Sequence, residues 1–340
     1  MEKGLNAEQC AEIIAEHFSS ISQEYDALTI YSLPPNIRSY LENINYDSIP
    51  LLTPQTVSCR IIKARKPMGI VEGDLPKKII QKCAHIIAVP ATSIFNEITR
   101  TATYPSSWKV EHQVAIPKVY PPTNEDELRN IAKTPFLSKV YESIVAQWLL
   151  SFIKPYLDVN QCGWKGSSIT HYLLKFLHFI HETLDMKKPH AVLAICVDLS
   201  KAFNQVDHSL VIQDLFDMHT PSWLLKIVFS YLSGRTMKLT FNGATSSVKE
   251  LPAGSPQGEF LGGLIFMIKF NGAFLRPSIP RPSLIDHSRA VKVKYVDDGS
   301  VGVQIDLKSY LVSDPVLRPS PRNFHERTGH IIPAQNNPLQ

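Results

Sequence analysis

The sequence predicts an α+β fold in which an antiparallel sheet is backed by helices. Apolar residues follow a helical period from Leu137 to Phe152 and again from His171 to Leu184. A short, continuous apolar run from Ala191 to Val197 is typical of a buried strand. Two runs of alternating valines between Val291 and Ile305 can pair with each other across Asp297-Asp298-Gly299, so the sheet is expected to contain a hairpin.

The N-terminal third is predicted to be helical with long loops. A first helix is indicated by apolar residues at helical spacing: Ala11, Ile14, Phe18 and Ile21. Prolines at positions 34, 35, 50 and 54 are expected to break regular structure after it. A second helical stretch surrounds Ile79 to Ile98, and the segment "HQVAIPKVYPPTNEDELRNIAKTP" reads as a short apolar segment that ends in a proline-rich loop.

The C-terminal half alternates helices with turns. Helical sequence resumes near Leu210, and "PSWLLKIVFSYLSG" predicts a helix with Ser222 as N-cap and Gly234 as its stop. Asn242-Gly243 predicts a tight hairpin turn, and "LPAGSPQGEFLGGLIFMIKF" predicts a glycine-rich loop that leads into a helix. After Tyr310 the chain is rich in Pro, Asn and Arg without a period, which favours a disordered tail.

Composition narrows the function classes only slightly. The net charge of +4 over 340 residues is too small to identify a polyanionic partner. One cluster of basic residues could bind phosphate backbones, although such clusters are more often solvated faces. Its members are Lys63, Arg65, Lys66, Lys77, Lys78 and Lys82.

Cysteine usage and the N-terminus indicate an intracellular, soluble protein. The five cysteines lie far apart, have no zinc-binding spacing and are odd in number, which is typical of a reducing compartment. No apolar segment of a signal peptide begins the chain, and no apolar run reaches the ~20 residues of a membrane span. No membrane partner is expected, and nothing in the sequence indicates a protein partner or separates nucleus from cytoplasm.

The adjacent carboxylates Asp297 and Asp298 have two possible explanations. A hairpin turn alone explains Asp-Gly, because both residues favour tight turns. A metal site is the alternative, and Asp198 favours it because a carboxylate at the end of a buried strand is costly unless it is paired or coordinated. If that strand lies beside the hairpin, the acids converge at one edge of the sheet and form a site suited to Mg²⁺. Two such ions ~3.5–4 Å apart are typical of phosphoryl displacement.

Three segments, in this order, resemble the palm motifs of reverse transcriptases: "CVDLSKAFNQVDH", "GSPQGEFLG" and "KYVDDGS". They most resemble those of non-LTR (LINE-type) retrotransposons. Upstream segments are similar to the fingers of the same family, namely "GDLPKKIIQ", "YPSSWKVEHQVAIPKVYPP", "LRNIAKTPFLSKVYE" and "CGWKGSSITHYLL". The resemblance covers about residues 60 to 305. It implies a right-hand polymerase with fingers and palm, and the order of its motifs is more specific than any one of them.

The resemblance implies a role for each matching acid and for one carbonyl. Asp198 and Asp297 would bind two Mg²⁺ ions, for which Mn²⁺ can substitute, and Asp298 would complete the catalytic cluster. Leu199 would offer its backbone carbonyl to the metal.

The resemblance also implies nucleotide and template contacts. Phe203 would crowd a 2′-hydroxyl and so favour deoxynucleotides, although an ordinary core Phe fits the pattern equally well. Gln257 and Gly258 would line the nucleotide pocket, or else form only a helix-entry turn. The triphosphate would be held by Lys118 and Arg129, which without the family context would be surface cations. The template would pass Lys165 and Gly166.

This sequence departs from the family pattern at several places. Asn130 stands where many relatives have proline, and Asn204 stands where an acid is usual. Glu259 stands where a small residue is typical, and a carboxylate there would repel phosphate. No thumb is recognisable in residues 311–340, so the chain is expected to be truncated.

Four segments are therefore expected. They are an N-terminal helical and loop extension over 1–60, a fingers-like region over 61–185, a palm with the catalytic motifs over 186–310, and a disordered tail over 311–340. The leading hypothesis is an RNA-directed DNA polymerase that uses an RNA template, a DNA primer and dNTPs. The alternatives are an inactive retroelement remnant that still binds RNA and a metal-dependent phosphohydrolase that uses the same acids.

Overall fold

The fold is mixed α and β, as predicted. The computed structural model describes residues 5–64, 71, 73–163, 167–187, 190–197, 199, 201–271, 285–295 and 298–306. For residues 285–290, 295, 298, 299, 301, 305 and 306 it describes the backbone alone.

Five α-helices come first along the described chain, and helices and strands are interspersed after them. The helices are α1 (Ala7–Ser20), α2 (Pro35–Glu42), α3 (Pro54–Lys63), α4 (Lys77–Lys82), α5 (Ala84–Thr101), α6 (Phe136–Ile153), α7 (Ile169–Leu184), α8 (His208–Asp217), α9 (Ser222–Leu232) and α10 (Phe260–Asn271). The strands are β1 (Val110–Pro117), β2 (Leu128–Lys133), β3 (His190–Val197), β4 (Thr236–Phe241), β5 (Ala244–Thr245), β6 (Lys249–Glu250), β7 (Ile285–Tyr295) and β8 (Asp298–Asp306).

The first sheet is mixed and contains five strands among the described residues. Its order is β2-β1-β4-β5, with β6 also paired to β4, and β1 runs antiparallel to β2 and parallel to β4. Helix α1 packs on this sheet and forms a small core with it: Ile14, Ala15, Phe18, Ala115, Leu128, Met237 and Leu239. The predicted Asn242-Gly243 turn joins β4 to β5, and both turn residues have positive φ, as a tight hairpin requires.

The second sheet has three described strands in the order β3-β8-β7, all antiparallel. The prediction of a hairpin formed by the valine runs is therefore confirmed. The prediction that β3 is a buried strand is wrong, because β3 lies at the edge of the described sheet and Leu193 is 39% exposed. A continuous apolar run does not distinguish a central strand from an edge strand.

The main core lies among the helices. The predicted helix over Leu137–Phe152 is α6, and it buries Tyr141, Val145 and Leu149 against the other helices. Helix α7 is also confirmed, but its apolar stripe is not buried: Leu173, Leu177 and Leu184 are all about half exposed. Periodicity identifies the helix, whereas burial depends on what packs against each side of it.

Several local predictions are wrong for identifiable reasons. Prolines 35 and 54 begin helices α2 and α3 instead of ending regular structure, because a first-turn residue needs no amide hydrogen. Pro221 rather than Ser222 occupies the N-cap of α9. The segment "LRNIAK" is strand β2 rather than loop, because its pairing with β1 satisfies its backbone groups.

Among the described residues, no helix combines the length and the apolar character needed to cross a bilayer.

Two adjacent glycines in α10 provide a test of the packing beneath the glycine-rich loop. A Cβ atom at Gly262 would lie 2.3 Å from the backbone oxygen of Pro256, whereas one at Gly263 would meet nothing within 4 Å. We expect Gly262→Ala to lower the free energy of unfolding by about 1–3 kcal/mol, because the loop must move. Gly263→Ala is the matched control and should raise it by about 0.5–1 kcal/mol through helix propensity. Urea denaturation of both variants measures this, and equal effects would contradict the close approach.

Candidate active site

The second sheet brings together the ends of two predicted motifs. Val197, the last residue of β3, pairs with Gly299 of β8, and Tyr295 of β7 pairs with Asp298. The strand that precedes Asp198 therefore lies directly beside the hairpin, as the sequence prediction of convergence requires. Asp198, Asp297 and the side chain of Asp298 lie outside the described residues.

The chemistry of the predicted acids decides whether they could hold a metal ion. In the part of the chain that the structure describes, no group of three or more His, Cys, Asp or Glu side chains could hold a metal ion. The acids that the sequence assigns to this role follow Val197 and precede Gly299, two paired residues. Carboxylate oxygens are the donors that Mg²⁺ prefers, so residues at this end of the sheet fit the ion chemically.

The segment after β3 docks on the core through Phe203. The ring of Phe203 stacks on Phe266 of α10, with ring centroids 4.4 Å apart and planes inclined by 19°. Leu199, 36% exposed, lines a neighbouring cavity of about 390 Å³ together with Phe266 and Phe270. Phe203 therefore has a packing role, and this role is compatible with a second one toward a nucleotide.

Backbone hydrogen bonds join the glycine-rich loop to both neighbouring motifs. Gly254 N donates to Val206 O (2.8 Å) and Ser255 N donates to Phe203 O (2.7 Å). Farther along the loop, Ala132 N of β2 donates to Gln257 O (3.2 Å). Main-chain bonds thus join the first palm motif, the glycine-rich loop and strand β2 of the fingers segment "LRNIAKTP".

Gln257 lines a small cavity on one side of this surface. The cavity of about 20 Å³ is shared with Phe203, Asn130 and two residues from the N-terminal region, Phe18 and Ser22. Asn130, the residue that replaces a usual proline, donates to Gln113 (3.0 Å) in this buried region. Its side chain consequently belongs to the sheet interior.

A larger, cationic cavity of about 560 Å³ opens on the other side. Its basic lining residues are Arg60, Lys63, Lys133 and Lys139. Gly258 lies at its wall with φ +100°, a conformation that favours glycine. Arg129 is exposed and lies on the same face of β2 as Ile131 and Lys133, because alternate strand residues share a face.

The remaining predicted cations are distributed unevenly. Lys118 lies beyond β1 and donates to the backbone oxygen of Asp126 (2.9 Å). Of the basic cluster, Lys63 lines the cationic cavity, Lys77 donates to Ala64 O (2.7 Å), and Arg65 and Lys66 lie outside the described residues. The predicted template residues Lys165 and Gly166 also lie outside them.

Glu259 does not present a free carboxylate to this cavity. Its side chain is only 3% exposed, and its Oε1 lies 3.0 Å from the Nζ atom of Lys139. Burial raises the pKa of the Glu259 carboxyl above its usual range, and Lys139 opposes this shift. The expected repulsion of phosphate is therefore reduced by a partner that the sequence alone did not reveal.

Sequence reasoning also missed a buried polar network beneath the cavity. Ser138 Oγ and Tyr104 Oη both approach Glu142 Oε1, at 2.9 and 3.2 Å, and Glu142 is fully buried. Burial raises the pKa of Glu142, and the nearby Glu259 carboxylate raises it further. The available clue was an acid at position 142, between the apolar pairs Val140-Tyr141 and Ile144-Val145 of α6.

The comparisons identify the class of protein. The chain matches the family described as reverse transcriptase (RNA-dependent DNA polymerase) over residues 116–308, which is more than half of its length. The chain belongs to this family, and the resemblance inferred from the motifs is confirmed.

Its curated relatives are named as RNA-directed DNA polymerases of mobile elements or transposons. The chain is 25% identical over 276 residues to the RNA-directed DNA polymerase from mobile element jockey of Drosophila melanogaster, covering 79% of this chain and 30% of that protein. It is 26% identical over 214 residues to the probable RNA-directed DNA polymerase from transposon X-element of the same species, covering 61% and 22%. The chain thus spans less than a third of the length of these relatives.

The raised pKa of Glu142 predicts a pH-dependent stability. An acid with a raised folded pKa binds its proton more tightly in the folded state, so the free energy of unfolding falls as pH rises above its ordinary pKa of 4.5. We expect Glu142→Gln to reduce this fall, which is at most about 1.4 kcal/mol per pH unit for one proton. Urea denaturation between about pH 5 and about pH 7.5 measures it.

The matched control is Glu97→Gln, which alters an exposed carboxylate whose pKa Arg100 lowers. Glu97 stays ionised over this pH range in both states, so its replacement should leave the slope unchanged. A Glu142→Gln variant with the wild-type slope would contradict the assignment.

Proposed function

We propose that this chain is the fingers and palm of an RNA-directed DNA polymerase, which extends a DNA primer on an RNA template. The observation that carries the proposal is the pairing of β3 with β8, in which Val197 lies opposite Gly299. In our proposal this register gathers Asp198, Asp297 and Asp298 at one end of the sheet. The comparisons support the polymerase class, and the relatives' names support the substrate.

The proposed role of the acids is to hold two Mg²⁺ ions, with Leu199 contributing its carbonyl. When bound, the ions neutralise phosphate charge and lower the pKa of a hydroxyl that attacks phosphorus. The chain's own contribution is to hold the acids in a fixed arrangement and to orient the reactants.

Nucleotide selection is assigned to the region where the first palm motif, the glycine-rich loop and β2 are joined. Arg129 and Lys118 would bind the triphosphate, Arg129 through its planar guanidinium and Lys118 as a point charge. Phe203 is held by its stack on Phe266, so its ring could exclude a 2′-hydroxyl without moving. The bond from Ala132 to Gln257 supports a fixed position for the loop beside the nucleotide.

The template is assigned to the cationic cavity. Four basic side chains from α3, β2 and α6 line it, and Gly258 permits close approach of a strand. Contacts of this kind neutralise phosphates and carry no sequence information, so binding would be independent of sequence and sensitive to salt. Lys165 and Gly166 remain proposed template contacts on the strength of the family resemblance alone.

A second candidate, RNA binding without catalysis, is favoured by one observation. The cavity beside Phe203 and Gln257 measures about 20 Å³, which admits a water molecule but is far too small for a nucleotide. A nucleotide at that point requires α1, which contributes Phe18, to move. RNA binding in the cationic cavity requires no such movement.

Primer extension distinguishes these candidates. Purified protein is incubated with an RNA template, a DNA primer and dNTPs in Mg²⁺ and then in Mn²⁺. We expect incorporation that Asp297→Asn abolishes, because the variant removes a carboxylate charge while preserving its size. Asp217→Asn, at an exposed position on α8, is the matched control and should retain activity. RNA binding without extension by the wild type would favour the second candidate.

Salt dependence tests the template path. We expect Arg60→Gln and Lys63→Gln each to weaken RNA binding and to reduce the slope of log K against log salt by about 0.7, the value for one phosphate contact to a single strand. Fluorescence anisotropy with a labelled single-stranded RNA measures both quantities. Arg100→Gln, at an exposed arginine of α5, is the control. An unchanged slope in both cavity variants would exclude the cavity as the path.

A further inference from the structure

One lysine of the second sheet is completely buried. Lys294 lies in β7, three residues before Asp297, and none of its surface is exposed. An ammonium group removed from water is costly unless it is paired and hydrogen-bonded. Its contacts therefore identify what holds this end of the hairpin.

Two described partners of the Lys294 side chain come from outside the sheet. Its Nζ atom lies 2.8 Å from Asp158 Oδ2, and it donates to the backbone oxygen of Asn271 at 2.7 Å. Asp158 is itself fixed, because its backbone N donates to Asn271 Oδ1 (2.7 Å) and its Oδ1 accepts from Asn160 N (2.9 Å). Lys294, Asp158 and Asn271, the last residue of α10, are thus connected to one another, and we call these three residues the joint.

The backbone of Lys294 is bound to the same loop. Its N donates to Asn160 O (2.9 Å), and its O accepts from Cys162 N (2.6 Å). Gln161 forms a parallel bridge with it. Main chain and side chain of a single residue therefore attach the hairpin to residues 158–162.

The joint connects the hairpin to the other motif-bearing elements. Asn271 is the last residue of α10, which begins directly after the Gln257-Gly258 loop, and a helix of this length is rigid over about 18 Å. The 158–162 segment follows α6, which carries Lys139 on the wall of the cationic cavity. Lys294 thus connects the hairpin both to α10, which follows the Gln257-Gly258 loop, and to the 158–162 segment, which follows α6.

Stability alone is a weak reason for such a pair. Replacing both partners of a buried ion pair by well-packed apolar groups of similar volume is often neutral or stabilising, whereas removing one partner is costly. A directional pair does, however, fix one arrangement of the groups it joins.

We propose that Lys294 and Asp158 are positioning residues that hold the acid-bearing end of the β7–β8 hairpin against α10 and the 158–162 segment. An effect of these residues on catalysis rests on the proposed function of those acids. Their effect on the position of the hairpin is independent of that function.

The central variant is the double substitution Lys294→Met with Asp158→Asn, which removes both charges and leaves no buried charge unpaired. Lys294→Met alone is the comparison, because it removes the lysine partner of the Asp158 carboxylate. The matched control is Lys269→Met, which removes a lysine from α10 in a half-exposed pair with Asp214.

Hydrogen–deuterium exchange provides the readout that does not need activity. We expect the double variant to keep a melting temperature close to the wild type, while the amides of β7 and β8 exchange about tenfold faster or more, as local opening of one unit permits. Amides of α6 and α9 should be unchanged, and Lys269→Met should leave the hairpin unaffected. Wild-type exchange in the hairpin of the double variant would overturn the proposal.

Primer extension provides the second readout. If the acid-bearing end of the hairpin is misplaced, we expect kcat to fall about tenfold or more while the KM for dNTP changes little. A loss of this size is typical when groups that orient metal ligands are removed. An unchanged kcat would overturn the positioning role in catalysis. If the wild type itself fails to extend a primer, the proposed function fails, and the exchange result still decides whether Lys294 positions the hairpin.

Discussion

Antiparallel pairing of β3 with β8 is the interaction on which the candidate site depends. It joins parts of the chain far apart in sequence and sets Val197 opposite Gly299. A slip of one residue would turn every side chain of a strand to the other face, so the register needs to be fixed. Val293 and Val303 are buried, and Gly302 lies so close to the ring of Phe179 on α7 that no Cβ atom would fit without a shift. Packing on the sheet thus selects this register.

Main-chain bonds join the glycine-rich loop to its neighbours. Its bonds to Phe203, Val206 and Ala132 use peptide groups, which any sequence would supply. The sequence contributes a glycine at position 254, which lets the loop approach Asn204 closely. Gly254 has φ +102°, and a Cβ atom there would lie 3.2 Å from Asn204 O. The loop can therefore contact two motifs at once and carry Gln257 and Gly258 between two cavities.

Buried charges connect elements that hydrophobic packing would leave free to slide. Arg235 binds Glu111 at 3.0 Å beside the first sheet, Lys139 binds Glu259 between α6 and the loop, and Lys294 binds Asp158 at the hairpin. Each pair joins different parts of the chain. Apolar contacts are non-directional, whereas an ion pair with further hydrogen bonds satisfies its groups in few geometries. The relative position of the motifs thus depends on charges at sites where solvent screens them only in part.

The sequence by itself determined the local elements and the family. Helical periodicity identified α1, α6 and α7, Asn242-Gly243 identified the β4–β5 turn, and the order of three motifs identified a reverse transcriptase. These features succeed because each depends on residues near one another in the chain or on a characteristic order. The acids Asp198 and Asp297 remain predictions of this kind.

Only the tertiary structure decided which side chains are buried and which distant groups meet. It made β3 an edge strand, left Leu173 and Leu177 of α7 exposed, and turned "LRNIAK" into strand β2. It also paired Glu259 with Lys139 and Lys294 with Asp158, partners separated by more than a hundred residues. Local periodicity contains no information about the opposite face of an element or about long-range partners. Burial and electrostatics arise from exactly those contacts, so they could not be predicted from the sequence alone.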